Sequence, residues 1–266
     1  MEEGWVEFDA IIATSHRVEK YGGVQLADPA LLQIVDALNS GQLPMIGNHD
    51  WTKPIRTRDI EAFLVTLADG ERAVRLSGLA VQEDWDAVGT IGGVSFSASE
   101  PIGRAEGLHP DAEPLKVLAD AAWFDDQSIG DACSIMSELA PVEGGRLLQF
   151  SAVDDARVVL EMGYGVVLTC GPGLATSAVW DGIKYLLSRR KRTNDGVVSP
   201  TRIELVTDLD AGTVVGIIDT ADADVAARAL ATYSAAVTAA AEARAQGKHV
   251  VVWEDGHPNG SWVAPS

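Results

Sequence analysis

A histidine acts as a base toward a serine hydroxyl only where the fold brings the two side chains together, and this sequence contains a pairing whose surroundings suit that chemistry. His49 follows the apolar run Leu43-Pro44-Met45-Ile46 and the stop at Gly47-Asn48, which places it at the end of a strand. The stretch Gly92-Gly93-Val94-Ser95-Phe96-Ser97-Ala98-Ser99-Glu100 alternates strictly, with Ser95, Ser97 and Ser99 on one face and Val94, Phe96 and Ala98 on the other. Ser95 is the preferred nucleophile. Gly92-Gly93 leaves room for a substrate backbone and supplies unobstructed amides for an oxyanion, whereas Ser97 and Ser99 lie deeper in the strand.

Three elements must position this pair. Ile60–Leu67 and Ala73–Val81 are apolar and β-favouring, and Ala68-Asp69-Gly70-Glu71-Arg72 between them carries the Asp-Gly of a hairpin, so an antiparallel pair is expected. Glu83-Asp84-Trp85-Asp86-Ala87-Val88 opens with acids suited to a helix N-terminus, and Gly89 ends it after little more than a turn. The chain then enters the serine strand.

His-Asp after an apolar strand, a hairpin, a short helix and a Gly/hydrophobic-Ser strand, in that order, resemble the prohead (capsid maturation) proteases of tailed phages, themselves similar to the herpesvirus assemblins. The matching residues are Asn48-His49-Asp50 with Lys53-Pro54-Ile55, and Gly93-Val94-Ser95-Phe96, with His49 and Ser95 46 residues apart. The resemblance covers about Trp5 to Phe124. It implies a small, mostly antiparallel barrel with helices around it. It also implies a serine endopeptidase with a third polar member beside the His and Ser, a capsid or scaffold protein as substrate, and no cofactor. Asp120, in Val117-Leu118-Ala119-Asp120-Ala121-Ala122-Trp123-Phe124, is the implied third member; His109 competes with it, because in the assemblins that member is a second histidine. The sequence departs from the family pattern in two places: Arg56 stands where a glycine is expected after Pro54-Ile55, and Phe96-Ser97 replaces hydrophobic-Gly-Phe after the serine, which keeps Ser97 as a rival nucleophile.

With 266 residues, 47% of them hydrophobic and 22% charged, the chain can bury one large core or two modest ones. Its 39 acidic against 20 basic residues give a net charge of −19, which opposes a general affinity for nucleic-acid phosphates and for anionic membranes and favours a protein partner. Cys133 and Cys170 fall in no CxxC or Cys/His spacing, so no zinc site is expected. The N-terminus Met1-Glu2-Glu3-Gly4-Trp5 is acidic where a secretory signal is basic, and no apolar run reaches the ~18 residues of a membrane span. A cytoplasmic protein with reduced thiols is expected; the resemblance puts it in the host cytoplasm or the procapsid interior.

In chain order, Trp5–Thr14 is expected as a central barrel strand, Ser15–Gly23 as a loop in which His16 is solvated, and Asp28–Asn39 as a helix with Asp28 as N-cap and Pro29 at N1. Pro101–Pro114, with His109, is expected as an exposed loop, Leu115–Phe124 as a strand, and the residues to Leu139 as a helix capped by Asp125 or Asp126. Pro141-Val142-Glu143-Gly144-Gly145 is the candidate domain boundary. Beyond it, Leu147–Ala152 and Gly163–Thr169 read as strands around a short helix at Asp154–Leu160. Cys170-Gly171-Pro172-Gly173 then turns into a helix ending in the basic run Arg189-Arg190-Lys191-Arg192, read as a solvated helix terminus. Thr201–Thr207 and Thr213–Ile218 read as a hairpin, Asp222–Gln246 as an alanine-rich helix capped by Thr220 or Asp222 and suited to packing on a sheet or to self-association, and Lys248–Trp253 as a strand.

The expected fold class is α/β of the α+β type. Residues 1–143 form the assemblin-like barrel domain that the resemblance implies, and 144–266 form a C-terminal α/β region to which the resemblance does not extend. Three functions compete. The first is the Ser95/His49 endopeptidase, acting alone or as a homo-oligomer. The second is a non-enzymatic capsid assembly or scaffold protein that keeps the barrel without the chemistry. The third is a hydrolase using Cys170 at its strand-to-helix turn.

Overall fold

A computed structural model describes residues 4–41, 45–46, 51–88, 96–107, 113–150, 156–170, 177–191, 200–210, 212–242, 247–256 and 260–265. The chain is a mixed α/β protein with two sheets and two compact units, Met1–Ala98 with Gln149–Asp154, and Ser99–Leu148 with Asp155–Ser266. Among the described residues no helix is long and apolar enough to cross a membrane.

The first unit is built on an antiparallel sheet of β1 (Trp5–Thr14), β2 (Thr57–Thr66) and β3 (Arg72–Val81) in the order β1-β3-β2, with α1 (Asp28–Asn39) against it and α2 (Gln82–Val88) following β3. The expected hairpin is present: Val65 pairs with Ala73 and Thr66 with Arg72, and Gly70 holds φ 91, a left-handed conformation that an L side chain rarely adopts. The central strand is β3 rather than β1, because the side chains of Val74, Leu76 and Ala80 are fully buried while β1 runs along an edge with Ile11 41% exposed. Leu31, Val35 and Leu38, at helical spacing on α1, close this core with Phe8, Ile12 and Ala62. The N-cap of α1 is Ala27, with Asp28 inside the first turn beside the helix dipole's positive end. At its other end Asn39 donates from Nδ2 to Ala62 O (2.9 Å) and accepts from Ala62 N (2.8 Å), tying the helix to β2.

The second unit carries an eight-stranded sheet. Its elements are β4 (Phe96–Ala105, whose first residues belong to the first unit), β5 (Leu115–Asp120), α3 (Asp126–Met136), β6 (Val142–Phe150), β7 (Ala156–Gly163), α4 (Tyr164–Cys170), α5 (Ala178–Arg189), β8 (Thr201–Leu209), β9 (Gly212–Thr220), α6 (Ala223–Glu242), β10 (Gly247–Glu254) and β11 (Ser261–Val263). The strand order is β11-β10-β9-β8-β7-β5-β6-β4. Three parallel pairs, β5/β6, β7/β8 and β9/β10, are each bridged by helix, and antiparallel pairing of β5 with β7 and of β8 with β9 joins them. Val117, Leu160 and Leu205, cross-strand neighbours, are buried in one core with Ile129 and Met136 of α3, Ile183 and Leu186 of α5 and Tyr233 of α6. Each such aliphatic side chain contributes about 1.5–3 kcal/mol by leaving water.

Several sequence expectations are corrected here. Asp154–Leu160 is not a helix, since β7 starts at Ala156, and Gly163–Thr169 is not a strand, since α4 starts at Tyr164. β7 is buried on both faces, so the alternation that marks a strand is absent, while α4 forms from Gly-Val-Val-Leu because tertiary packing of Val166 and Val167 overrides the β preference of the run. The Pro141–Gly145 segment opens β6 within the second unit, and its glycines answer to packing. A Cβ would lie 2.8 Å from Cys133 Sγ at Gly144 and 2.8 Å from Leu118 Cδ2 at Gly145. β4 extends through Ala105 into what reads as a loop, and accommodates Pro101 at the sheet's end, where a strand tolerates proline.

Gly216 on β9 gives a direct test of the α6 packing. A Cβ there would come within 2.5 Å of Tyr233 Cε2 and 3.1 Å of Trp262, and the Tyr233 hydroxyl is fixed by donation to Leu205 O (2.8 Å). Gly216→Ala is expected to cost about 1–3 kcal/mol in urea unfolding. Gly103→Ala, where nothing lies within 4 Å, is expected to leave the midpoint unchanged.

Candidate active site

His49, Gly92-Gly93, Ser95 and His109 lie outside the described residues. Before and after His49 the chain closes on itself: Ile46 bridges Pro54, Ile55 N donates to Met45 O (3.0 Å), and the Met45 and Ile55 side chains are buried in the first unit's core. Immediately past this neck, Arg56 meets Asp84 in the first turn of α2. Arg56 N and Nε donate to Asp84 Oδ2 at 2.9 and 2.8 Å, and Nη2 donates to Oδ1 at 2.8 Å. The Arg56 carbonyl accepts from Val81 N at 3.0 Å. Planar guanidinium against carboxylate, in two parallel bonds, is a strong and directional form of ion pair.

The Asp84 side chain is 14% exposed against 65% for Arg56, and the Arg56 hydrogen bonds hold its carboxyl below the usual carboxylate range. A depressed acid contributes stability above its unfolded value and loses that contribution as pH falls through the folded one. α2 is further seated by Gln82 N donating to Gly4 O (2.9 Å) and by Trp85 stacking on Phe8 at 5.0 Å. Sequence reasoning marked Arg56 only as a departure from a family pattern and missed its partner. The available signal was an unpaired-looking arginine together with acids in the first turn of the next helix.

Asp120 ends β5 in the second unit and is fully buried. Its Oδ1 accepts from Ala122 N (2.9 Å) and its carbonyl accepts from Trp123 N and Phe124 N, both at 2.9 Å, so the residue shapes the turn into α3. Asp125, one of the two expected caps, accepts from Ser128 N at 2.7 Å. Ser97 and Ser99 are both exposed on β4, as their shared face requires.

The remaining candidates have structural explanations. His16 contacts Asp69 at 2.7 Å on the surface and joins the first loop to the hairpin turn. Cys133 is buried, and burial pushes its thiol up to about 11, which makes it inert. Cys170 ends α4 rather than a strand, so the strand-to-helix geometry expected for a cysteine nucleophile is absent there. The basic run is largely tied into the fold: Arg189 lies 5.2 Å from the Tyr185 ring centroid, Arg190 donates to Thr201 Oγ1, and Lys191 donates from N to Trp123 O (3.0 Å) and from Nζ to Ala122 O (3.2 Å). Among the described residues no three His, Cys, Asp or Glu side chains group as metal ligands. Comparison with family models, with curated proteins and with solved structures gives no match for this chain.

Proposed function

We propose that the chain is a serine endopeptidase resembling the phage prohead proteases, with Ser95 as nucleophile, His49 as its base and a capsid or scaffold protein as substrate. The observation that most directly supports this reading is the order of the described elements flanking the two residues: the Ile46–Pro54 bridge on either side of His49, the antiparallel hairpin β2–β3, the short helix α2, and β4 starting directly after Ser95. In this proposal the β1–β3–β2 sheet belongs to the family's barrel. Ser95 Oγ attacks the peptide carbonyl as His49 takes its proton, backbone amides near Gly92-Gly93 hold the oxyanion, and the imidazolium protonates the leaving amine. Water, activated by the same imidazole, then releases the acyl group. The resemblance implies Asp120 as the third member, and the chemistry needs no cofactor. The net charge of −19 favours a protein partner over nucleic acid or an anionic membrane, and the enzyme acts as a single chain or a homo-oligomer in the host cytoplasm or procapsid.

The test is co-expression of the full chain with the capsid or scaffold protein encoded beside it, with the partner's mass read afterwards. Wild type is expected to shorten the partner and Ser95→Ala to leave it whole. If Ser97→Ala alone stops cleavage, the nucleophile is Ser97. A partner left uncut by wild type, with normal particle assembly in the Ser95→Ala background, replaces the enzyme by the scaffold reading.

A further inference from the structure

We propose that the outer face of the β1–β3–β2 sheet docks a polypeptide segment carrying lysine or arginine close to a large apolar side chain, whether or not the chain cleaves that partner. The two faces of this sheet differ. Phe8, Ile12, Ala62, Val74, Leu76 and Ala80 are buried in the core with α1, while Glu7, Asp9, Ile11, Glu61, Phe63 and Arg75 are exposed. Strand register sorts the exposed residues into two zones. Ile11, Arg75 and Phe63 lie opposite one another across the three strands, so Ile11 at 41% and Phe63 at 36% exposed flank Arg75 in an apolar row, with the guanidinium 5.9 Å from the Phe63 ring centroid. In the next rows Asp9 and Glu61 flank Ser77, and Glu7 lies opposite Leu79. Glu7, Asp9, Ser77 and Leu79 line an open pocket of about 570 Å³ together with Asp59. Asp59 sits where the β2–β3 pairing shifts register between Arg58 and Glu61, and its φ of 53 is a left-handed conformation that few residues with a side chain adopt.

Charge decides what fits. Asp9 is held by Arg75, which donates from Nε to Oδ1 at 2.7 Å and from Nη2 to Oδ2. Arg58 stacks on the Trp5 ring at 4.3 Å and stands 3.8 Å from Asp59. Glu7, Asp9, Asp59 and Glu61 against Arg58 and Arg75 leave the zone with more negative charge than positive. A second copy brings a net charge of −19, and its basic run is largely tied into its own fold, so like charge opposes self-association here. A lone cation has no use for Ile11 and Phe63. A basic segment fits both zones, and because residues two apart on a strand are about 7 Å apart, its cationic and apolar side chains belong about 7–14 Å from each other, which is about two to four residues of extended chain.

The experiment uses the full-length protein and fluorescein-labelled synthetic peptides, read by anisotropy at low salt. Each peptide carries a lysine pair and a leucine-phenylalanine pair joined by a glycine-serine spacer, which varies in length from none to about eight residues. Wild type is expected to bind most tightly at a separation of about two to four residues and to ignore the same peptide with glutamates for lysines. Glu7→Lys with Glu61→Lys is expected to weaken binding about 10-fold or more, since like charges then meet, and Glu7→Gln with Glu61→Gln falls between. Ile11→Ser with Phe63→Ser is expected to weaken it about 5- to 10-fold and to abolish the spacing preference. Glu138→Lys with Glu242→Lys, at exposed acids of the second unit, changes the net charge equally and is expected to bind as wild type does. Thermal midpoints establish that each variant is folded. Binding kept by Glu7→Lys/Glu61→Lys or by Ile11→Ser/Phe63→Ser, an equal loss in Glu138→Lys/Glu242→Lys, indifference to spacing, or a wild type that binds none of the peptides overturns the inference.

Discussion

Glu204→Ala is expected to destabilise the second unit by about 3–5 kcal/mol, a large part of the about 5–15 kcal/mol that holds an ordinary domain folded. Glu204 on β8 and Arg157 on β7 are 1% and 5% exposed, and Arg157 Nη2 donates to Glu204 Oε2 at 2.5 Å. Among the described residues Arg157 Nε and Nη1 have no hydrogen-bond partner, so Glu204 is what the structure offers to offset the desolvation of this guanidinium. Removing the acid leaves a buried charge uncompensated. Removing both ions is different: Arg157→Met with Glu204→Leu deletes the desolvation along with the attraction, and is expected to return stability to wild type or above it. Asp219→Ala provides the contrast, since the Arg202–Asp219 pair is exposed at 21% and 45% and is expected to be worth only about 0.2–1 kcal/mol. Urea unfolding of the three variants beside wild type decides the matter. A Glu204→Ala midpoint close to that of Asp219→Ala would show that the pair is hydrated.

For activity the largest effects are expected at His49 and Ser95. A nucleophile and its base act as a unit, so Ser95→Ala and His49→Ala are each expected to lower cleavage by about 10^4-fold or more, with the double variant scarcely worse than either. Independent contributions would instead multiply, and that result would separate the two residues chemically. Asp120→Ala is expected to lose less, because nucleophile and base remain. Asp120 also accepts from Ala122 N, so Asp120→Asn, which keeps an acceptor for the turn, separates a loss of orientation from a loss of folding. Cys170→Ala is expected to change nothing in the same assay.

Local signals were legible wherever short-range chemistry decides structure. Asp69-Gly70 announces the β2–β3 turn, Asp125 the start of α3, and the β8–β9 hairpin and α6 follow from apolar runs and alanine content. The failures share a cause. β7 is buried on both faces and shows no alternation, α4 is a helix made from a valine pair, and Gly144-Gly145 look like a linker although they are the points where α3 and Leu118 press on β6. In each case the deciding contact comes from residues distant in the chain, and periodicity carries no record of it. The same holds for the site. The order of elements between His49 and Ser95 could be read along the sequence, whereas the pairing of Arg56 with Asp84, 28 residues away, could not.

Tyr21 reaches a long way along the chain: its hydroxyl donates to Gln149 O at 3.1 Å and accepts from Gln149 N at 2.7 Å, and residues 149–154 belong to the first unit although 99–148 do not. During synthesis the N-terminal unit therefore waits for its last residues until β4, β5, α3 and most of β6 have emerged. A chain arrested near residue 100 holds the hairpin and both helices of that unit and still lacks the partner of a buried tyrosine. A fragment cut at Ala98 therefore lacks residues 149–154 of its own unit, which the chain supplies only when nearly three-fifths of it has been made.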